Sequence, residues 1–153
     1  MSTPTQRLAE LGLSLPPVAK PLAAYTPAIT VGNQVWVSGQ LPLRDGKLIA
    51  TGRLGDAVEP AEGAEAAKVA ALNALAAVAD QAGGLDNVAR ILKAVVFVAS
   101  TTDFTAQPQV ANGASELLGE VFGTPHVRSA VGVAVLPIDA PVEVELVAEL
   151  AAR

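Results

Sequence analysis

The chain has 153 residues with 15 acidic and 10 basic side chains, which gives a formal net charge of −5. This length predicts a single domain, 1–153, and the acidic balance disfavours binding to nucleic acid, which normally draws on clustered Lys and Arg. Because the chain has no cysteine, disulfides, thiolate nucleophiles and zinc-thiolate sites are excluded. The N-terminus lacks a basic flank followed by an apolar run, and no stretch reaches about 18 apolar residues, so we expect a cytoplasmic protein without membrane contact.

Hydrophobic residues make up 51% of the chain, but aromatic residues only 3%. The core is therefore expected to consist of Ala, Val and Leu. Several predicted strands are apolar on both faces, which indicates more apolar surface than one copy of the fold can cover. We expect the chain to associate with copies of itself.

The first 23 residues predict an N-terminal extension with one short helix. Thr3 and Pro4 are typical of a helix start, and Gly12 is typical of its end. The following residues, 14–23, are rich in proline and are predicted to be extended.

A β-hairpin is predicted next. Residues 28–31 and 34–38 read as strands joined by the turn Gly32-Asn33, and the second strand ends at Ser38-Gly39-Gln40. The segment 42–60 is rich in turn residues and contains one short strand.

Two helices and a terminal hairpin complete the prediction. Helices are expected from Pro60 to Ala82 and from about Pro108 to Phe122, with an apolar, central strand at 91–98 between them. Residues 126–146 read as two strands separated by a turn at 136–141. The order β-β-(β)-α-β-α-β-β predicts an α+β fold in which right-handed crossovers place both helices on one face of a mixed sheet.

The terminal strands carry one arginine and two carboxylates among apolar residues. Arg128 shares a face with Ala130, and Glu143 shares a face with Glu145, because side chains alternate along a strand. We expect antiparallel pairing of the two strands to bring Arg128 and Glu143 together. A guanidinium there could clamp the carboxylate of a small organic acid; the alternative is an ion pair between Arg128 and Glu143 or Glu145.

The carboxylates differ in their expected roles. Glu143 could orient or deprotonate a water molecule if burial raises its pKa. Glu145 and Glu149 are expected to line a solvated strand edge instead. Since the face that carries Arg128 and Glu143 is left uncovered by the helices, we expect the site to lie where subunits meet.

Other candidates are less specific. Gly39 permits close backbone approach and could offer an N–H group to a carboxylate, although Ser38 and Gly39 could equally form a β-bulge. Tyr25 and Asn112 could supply hydrogen bonds or simply pack. His126 is the only histidine and reads as a loop residue, and no phosphate-binding loop is present. No metal or cofactor site is therefore predicted.

Together these segments resemble the YjgF/Rid superfamily, the reactive intermediate deaminases, over nearly the whole chain. The residues that carry the resemblance are 32–40 (GNQVWVSGQ), 96–98 with Asp103-Phe104, 110–112, and above all 128–137 (RSAVGVAVLP) with 142–145 (VEVE).

The resemblance implies a chorismate-mutase-like fold, a homotrimer packed through its sheets, and ligand clefts between subunits. It also implies hydrolysis of enamines and imines such as 2-aminoacrylate to 2-keto acids and ammonia, without a cofactor. By position, Arg128 would hold the substrate carboxylate, Gly39 would add a backbone N–H, and Glu143 would place the attacking water. The remaining positions of the cleft would be Tyr25, Ser38, Asn112 and Ala130.

The chain departs from that pattern in three places. Ala130 stands where many deaminases of this type have cysteine, extra residues lie around 105–109, and the N-terminal extension is longer than in compact members. These features resemble a longer-chain branch of the superfamily. Two alternatives stay open: a non-catalytic trimer that binds 2-keto acids, and an endoribonuclease, against which the acidic charge and the absent histidine pair argue.

Overall fold

The computed structural model describes residues 2–20 and 24–152, so residues 21–23 of the predicted extended stretch lie outside the described residues. The helices and strands are α1 (Pro4–Glu10), β1 (Ala28–Val31), β2 (Gln34–Gln40), β3 (Leu43–Arg44), β4 (Lys47–Leu48), α2 (Pro60–Ala82), β5 (Val88–Ala99), α3 (Gln107–Phe122), β6 (Val127–Val133) and β7 (Val142–Leu150). This confirms the predicted order of elements, except that the single short strand expected within 42–60 is a pair of two-residue strands, β3 and β4. None of the helices in the described ranges is long and apolar enough to cross a membrane.

Five strands form a mixed sheet in the order β1-β2-β7-β5-β6, and β3 and β4 form a separate pair. Strand β6 runs parallel to β5, and helix α3 forms the crossover connection that parallel neighbours need. The other neighbouring strands of the sheet are antiparallel.

The predicted terminal hairpin was wrong. Strand β5 lies between β6 and β7, so the last two strands do not pair. Their connection, residues 134–141, is longer than the predicted turn at 136–141 and contains a short 3-10 helix, Pro137–Asp139, in which Ile138 and Asp139 have positive φ angles. This longer connection crosses the end of β5 and lets β7 pair with β5 and β2.

Local signals explain the long helix α2. Pro60 occupies its first turn, the backbone N–H of Glu59 is bonded by the side chain of Glu62, and Gly83 ends the helix with a φ of 76°. Helices α2 and α3 pack against each other and against one face of the sheet. At Gly113 the two helices approach so closely that an added Cβ would overlap the carbonyl of Ala64. The core between these layers consists mainly of Ala, Val and Leu, as predicted.

The sheet therefore has a helix face and an open face. Val96 of β5 and Val144 of β7 are fully buried on the helix face. The open face carries large apolar side chains, among which Trp36 is 51% exposed and Val131 is 44% exposed.

The N-terminal helix docks at the end of α3. Thr3 and Gln6 form a capping box at its start, and Leu8 is buried in the core. Arg7 donates from Nη1 to the carbonyl of Val121 at 3.4 Å, in the last turn of α3. This contact supplies a cation where the helix presents free carbonyl groups.

Candidate functional site

Arg128 is held by one side of α3. Its partner across the sheet is Ala94, which is fully buried, so the arginine lies on the helix face at the edge strand β6. Nη1 donates to Oδ1 of Asn112 at 2.8 Å and to Oγ of Ser115 at 3.1 Å, and Nη2 donates to the carbonyl of Pro108 at 3.3 Å. These three acceptors fix the guanidinium against the helix.

The same contacts leave two N–H groups of Arg128 without a partner among the described residues. A guanidinium has five N–H donors, and the acceptors on α3 take both donors of Nη1 and one of Nη2. The remaining Nε–H and the second Nη2–H can form a parallel fork, which is the geometry that a carboxylate accepts. The one ion pair in the described part of the chain is Arg44 with Glu65, so Arg128 has no carboxylate partner there.

Ser115 links Arg128 to the single histidine. Nε2 of His126 lies 3.0 Å from Oγ of Ser115, and His126 lies in a loop, as predicted. Burial lowers the pKa of His126, and the nearby Arg128 lowers it further, so the neutral ring is favoured. Ser115 was not identified from the sequence. Its spacing from Pro108 and Asn112 on one helical face is a signal, but nothing local indicates which face meets Arg128.

Glu143 lies on the other face of the sheet from Arg128. Its partner on β5 is Phe97, three residues beyond Ala94, the partner of Arg128. Because residues an odd number apart on a strand point to opposite faces, the two side chains of one chain do not share a site. The expected proximity was wrong because it depended on the terminal hairpin. The expectation that Arg128 lies on the face left uncovered by the helices was also wrong, because α3 packs against its side chain.

A β-bulge in β2 makes room for the Glu143 carboxylate. Val37 pairs with Leu146 and Gln40 with Val144, so Ser38 and Gly39 together lie opposite one residue of β7. A Cβ on Gly39 would overlap Oε1 of Glu143. The alternative of a β-bulge is confirmed, and in this fold it is the feature that positions Glu143.

The surroundings of Glu143 disfavour its charge. Burial raises the pKa of Glu143, and the like charge of Glu145 raises it further. Glu145 and Glu149 do not line a strand edge as predicted, because β7 is an interior strand of the sheet. They lie half-buried on the open face with Glu143.

Ser38 and Tyr25 complete this second group. The hydroxyl of Ser38 donates to the carbonyl of Pro27 at 3.0 Å, which fixes the segment that follows Tyr25. Tyr25 and Gly39 line one small cavity of about 30 Å³ together with Ala19 and Lys20 of the N-terminal extension.

The predicted site residues thus form two separate groups in one chain. Arg128, Asn112 and Ala130 lie on the helix face, where Ala130 is half-buried against the core. The second group, at the bulge of β2, comprises Tyr25, Ser38, Gly39 and Glu143. Within residues 2–20 and 24–152, His, Asp and Glu form no group of three that could hold a metal ion.

Comparison with known proteins identifies relatives over most of the chain. The family described as "YjgF/chorismate mutase-like, putative endoribonuclease" matches residues 5–150. Protein TCP17 from Trypanosoma cruzi is 44% identical over 146 residues, which cover 94% of this chain and 91% of the relative. A 2-iminobutanoate/2-iminopropanoate deaminase from Dermatophagoides farinae is 29% identical over 136 residues, which cover 87% of this chain and 91% of the relative.

Solved structures share the fold. Protein Atu1372 of Agrobacterium tumefaciens, described as of unknown function, has 42% identity and a TM-score of 0.88, with 98% of this chain and 94% of that chain covered. E. coli TdcF, solved with bound serine, has 26% identity and a TM-score of 0.63, with 90% and 94% covered. These matches confirm the resemblance drawn from the sequence: the protein has the chorismate-mutase-like α+β fold and belongs to the YjgF family.

Proposed function

We propose that the protein hydrolyses reactive 2-enamine and 2-imino acids to 2-keto acids and ammonia. The reaction takes place in a cleft between two subunits of a homotrimer. One subunit contributes Arg128 and Asn112, and its neighbour contributes Gly39 and Glu143. Tyr25 and Ser38 border the cleft on the side of Glu143, and Ala130 borders it on the side of Arg128.

One observation carries this proposal: Arg128 is fixed by three neutral acceptors and has no carboxylate partner in the described residues. A guanidinium that is held by neutral groups, with a free fork of two donors, is arranged to bind an anion supplied from outside. A 2-imino acid carries such a carboxylate next to its C=N bond.

The chemistry requires positioning and a proton acceptor. Glu143 accepts a proton from water, the oxygen adds to the C=N carbon, and the nitrogen takes that proton from the Glu143 carboxyl to give a carbinolamine. The carbinolamine hydroxyl then transfers its proton to the nitrogen by way of Glu143, the C–N bond breaks, and ammonia and the 2-keto acid are released. The raised pKa of Glu143 brings it closer to the range in which a carboxylate is an effective base. An imine carbon is already electrophilic, so orientation and charge neutralisation by Arg128 suffice for the remaining catalysis.

Two features of the chain support an assembly of subunits. Arg128 and Glu143 lie on opposite faces of one sheet, so a site that uses both needs a second copy of the chain. The open face also exposes Ile29, Val31, Trp36, Val127 and Val131 to solvent in the single chain, and apolar surface of this kind is typical of an interface between subunits. A cyclic trimer repeats one such heterologous contact three times and closes.

Two of the relatives named above support the proposed activity. One relative is named a 2-iminobutanoate/2-iminopropanoate deaminase, and one solved relative contains serine, a small amino acid with a carboxylate. The family description also mentions an endoribonuclease. The net charge of −5 disfavours a polyanionic substrate.

A turnover assay tests the function. An amino-acid oxidase releases 2-imino acids in the presence of the protein, and the appearance of the 2-keto acid is followed. The wild-type chain should accelerate its appearance, and Arg128→Ala and Glu143→Gln should each abolish the acceleration. Saturable binding of 2-ketobutyrate without any acceleration would contradict the enzyme and favour the alternative, a binding trimer.

A further inference from the structure

His126 forms the far end of a hydrogen-bond chain that leads to Arg128 and has no part in the proposed reaction. Nε2 of its ring lies 3.0 Å from Oγ of Ser115, and that oxygen accepts from Nη1 of Arg128 at 3.1 Å. The histidine and the serine are both half-buried. The chain reaches the guanidinium through Nη1, so the Nε–H and the second Nη2–H stay free for the substrate carboxylate.

The loop after α3 places the histidine beside the serine. Gly123 ends α3 with a φ of 67°, Pro125 follows it, and β6 begins at Val127. Nη2 of Arg90 on β5 donates to the carbonyl of Pro125 at 3.3 Å and ties this loop to the sheet. The position of His126 next to α3 is thus fixed by groups of the fold itself.

The direction of each hydrogen bond in the chain follows from the donors. Nη1 of Arg128 can only donate, so Oγ of Ser115 is the acceptor in that bond and its own proton is available for another. Within residues 2–20 and 24–152, Nε2 of His126 is the acceptor that the structure provides for this proton. Nε2 must then carry no hydrogen, and the ring is neutral with its proton on Nδ1.

Two further features agree with a neutral ring. If the ring were protonated, Nε2–H and Nη1–H would both point at the oxygen of Ser115, and two cations would converge on one hydroxyl. Burial also lowers the pKa of His126, and the charge of Arg128 lowers it further. At neutral pH the ring is therefore a hydrogen-bond acceptor.

The acceptor on His126 matters because a serine in a helix has a competing partner. A serine hydroxyl in a helix can donate to the carbonyl four residues earlier, which here belongs to Ala111. The structure pairs the hydroxyl of Ser115 with His126 instead. Without the ring, the hydroxyl can turn toward that carbonyl, and its oxygen then moves away from Nη1 of Arg128.

We propose that His126 is a positioning residue for Arg128 and acts through Ser115: its ring holds the serine hydroxyl in the orientation in which the oxygen accepts from the guanidinium. This inference rests on the proposed function, in which Arg128 binds the carboxylate of the substrate. It gives the single histidine of the chain a role in substrate binding, although the ring touches neither the substrate nor the attacking water.

A double-mutant cycle tests whether His126 acts through Ser115. Calorimetry gives the Kd of 2-ketobutyrate, a stable 2-keto acid, for the wild type, His126→Leu, Ser115→Ala and the double variant. Each single variant should weaken binding by about threefold to tenfold, as expected for the loss of one hydrogen bond. The double variant should bind as Ser115→Ala does, because without the hydroxyl the ring has nothing to hold.

Two substitutions of the histidine separate positioning from packing. His126→Gln keeps an acceptor oxygen near the place of Nε2 and should retain most of the wild-type affinity, whereas His126→Leu keeps only the bulk. In the turnover assay, His126→Leu should raise KM and leave kcat nearly unaltered. Glu120→Leu, at an exposed position of α3, is the matched control and should bind 2-ketobutyrate as the wild type does. Thermal unfolding shows whether each variant is folded.

Nitrogen NMR observes the ring directly and needs no variant. Because the chain has one histidine, its imidazole nitrogens are assigned without ambiguity. At neutral pH the wild type should carry its proton on Nδ1 and none on Nε2. Ser115→Ala should lose this preference, because the donor to Nε2 is gone.

The outcomes separate the two proposals. Equal affinities of the wild type and His126→Leu, a double variant whose losses add, a His126→Gln as weak as His126→Leu, or a wild-type ring with its proton on Nε2 would each overturn the positioning role and leave the deaminase intact. Absence of turnover on every 2-imino acid would overturn the proposed function, and the Kd values would then decide the role of His126. A wild type that neither turns over 2-imino acids nor binds 2-ketobutyrate would overturn both.

Discussion

The carboxylate of Glu143 occupies the space that a side chain at residue 39 would fill. A Cβ on Gly39 overlaps Oε1 of Glu143 and would lie 2.6 Å from its Cδ. The β-bulge of β2 and the absence of a side chain at Gly39 therefore define together where this carboxylate sits. In the proposed mechanism, they define where the attacking water is held.

Gly39→Ala should inactivate the enzyme without unfolding it. The carboxylate is the end of a flexible side chain, so it can rotate away from the new methyl group, but its displacement by about 1 Å should lower kcat by about 100-fold. Steady-state kinetics measure the loss of activity, and thermal unfolding shows whether the variant stays folded. Gly119→Ala is the control: nothing lies within 4 Å of its added Cβ, so activity should be unchanged and helix α3 stabilised by about 0.5 to 1 kcal/mol.

The pH dependence of kcat/KM should follow the protonation of the Glu143 carboxyl. Burial and then Glu145 raise the pKa of this carboxyl, and the base must be deprotonated to act. As the pH is lowered, activity should therefore begin to fall at a higher pH than it would if the base had the ordinary pKa of a solvated glutamate. Glu145→Gln removes the like charge, lowers the pKa of Glu143 and should move the acidic limb to lower pH. Glu149→Gln is the control; a limb that moves equally in both variants would contradict the assignment.

We expect Asn112 to contribute to substrate binding because it holds the guanidinium of Arg128 in position. Asn112→Ala removes the shortest of the three hydrogen bonds that hold the guanidinium, which is 2.8 Å long. A hydrogen bond to a charged group contributes about 1.5 to 3 kcal/mol, so KM for the imino acid should rise by about tenfold or more, with a smaller change in kcat. Glu116→Ala, an exposed neighbour on α3, should leave KM unchanged. Equal kinetics of the two variants would show that Arg128 does not need this support.

The open face of the sheet should hold the subunits together. Val131→Asp places a charge on that face and should give monomers without activity, because burying an unpaired carboxylate is costly. Leu11→Asp, at the end of α1, is the control because the two side chains are similarly exposed, at 44% and 40%. Light scattering gives the mass of each variant. A wild-type chain that is monomeric at assay concentration would contradict the shared cleft.

Local features of the fold could be predicted from the sequence. Helix α2 runs from Pro60 to Ala82 as expected, because its proline start and its glycine stop act within a few residues. The partners of β6 and β7 in the sheet could not be predicted in this way. Sequence neighbours often pair, but here the apolar strand β5 takes a partner on each side, and that choice depends on contacts far apart in the chain.

The candidate site was likewise predicted in part from local sequence features. Alternation along the strands correctly grouped Arg128 with Ala130 and Glu143 with Glu145. Which groups face Arg128 depends on the rotation of α3 about its axis. Ser115 was missed for that reason, and the separation of Arg128 from Glu143 followed from the unpredicted strand order.

The most direct test of the shared cleft mixes two inactive variants. Arg128→Ala and Glu143→Gln subunits, with different affinity tags, are co-expressed, and oligomers that carry both tags are isolated. If each site takes Arg128 from one subunit and Glu143 from its neighbour, every cyclic trimer that carries both tags has one complete site of three and regains about one third of the wild-type activity. Mixed oligomers that are no more active than either variant alone would contradict the account.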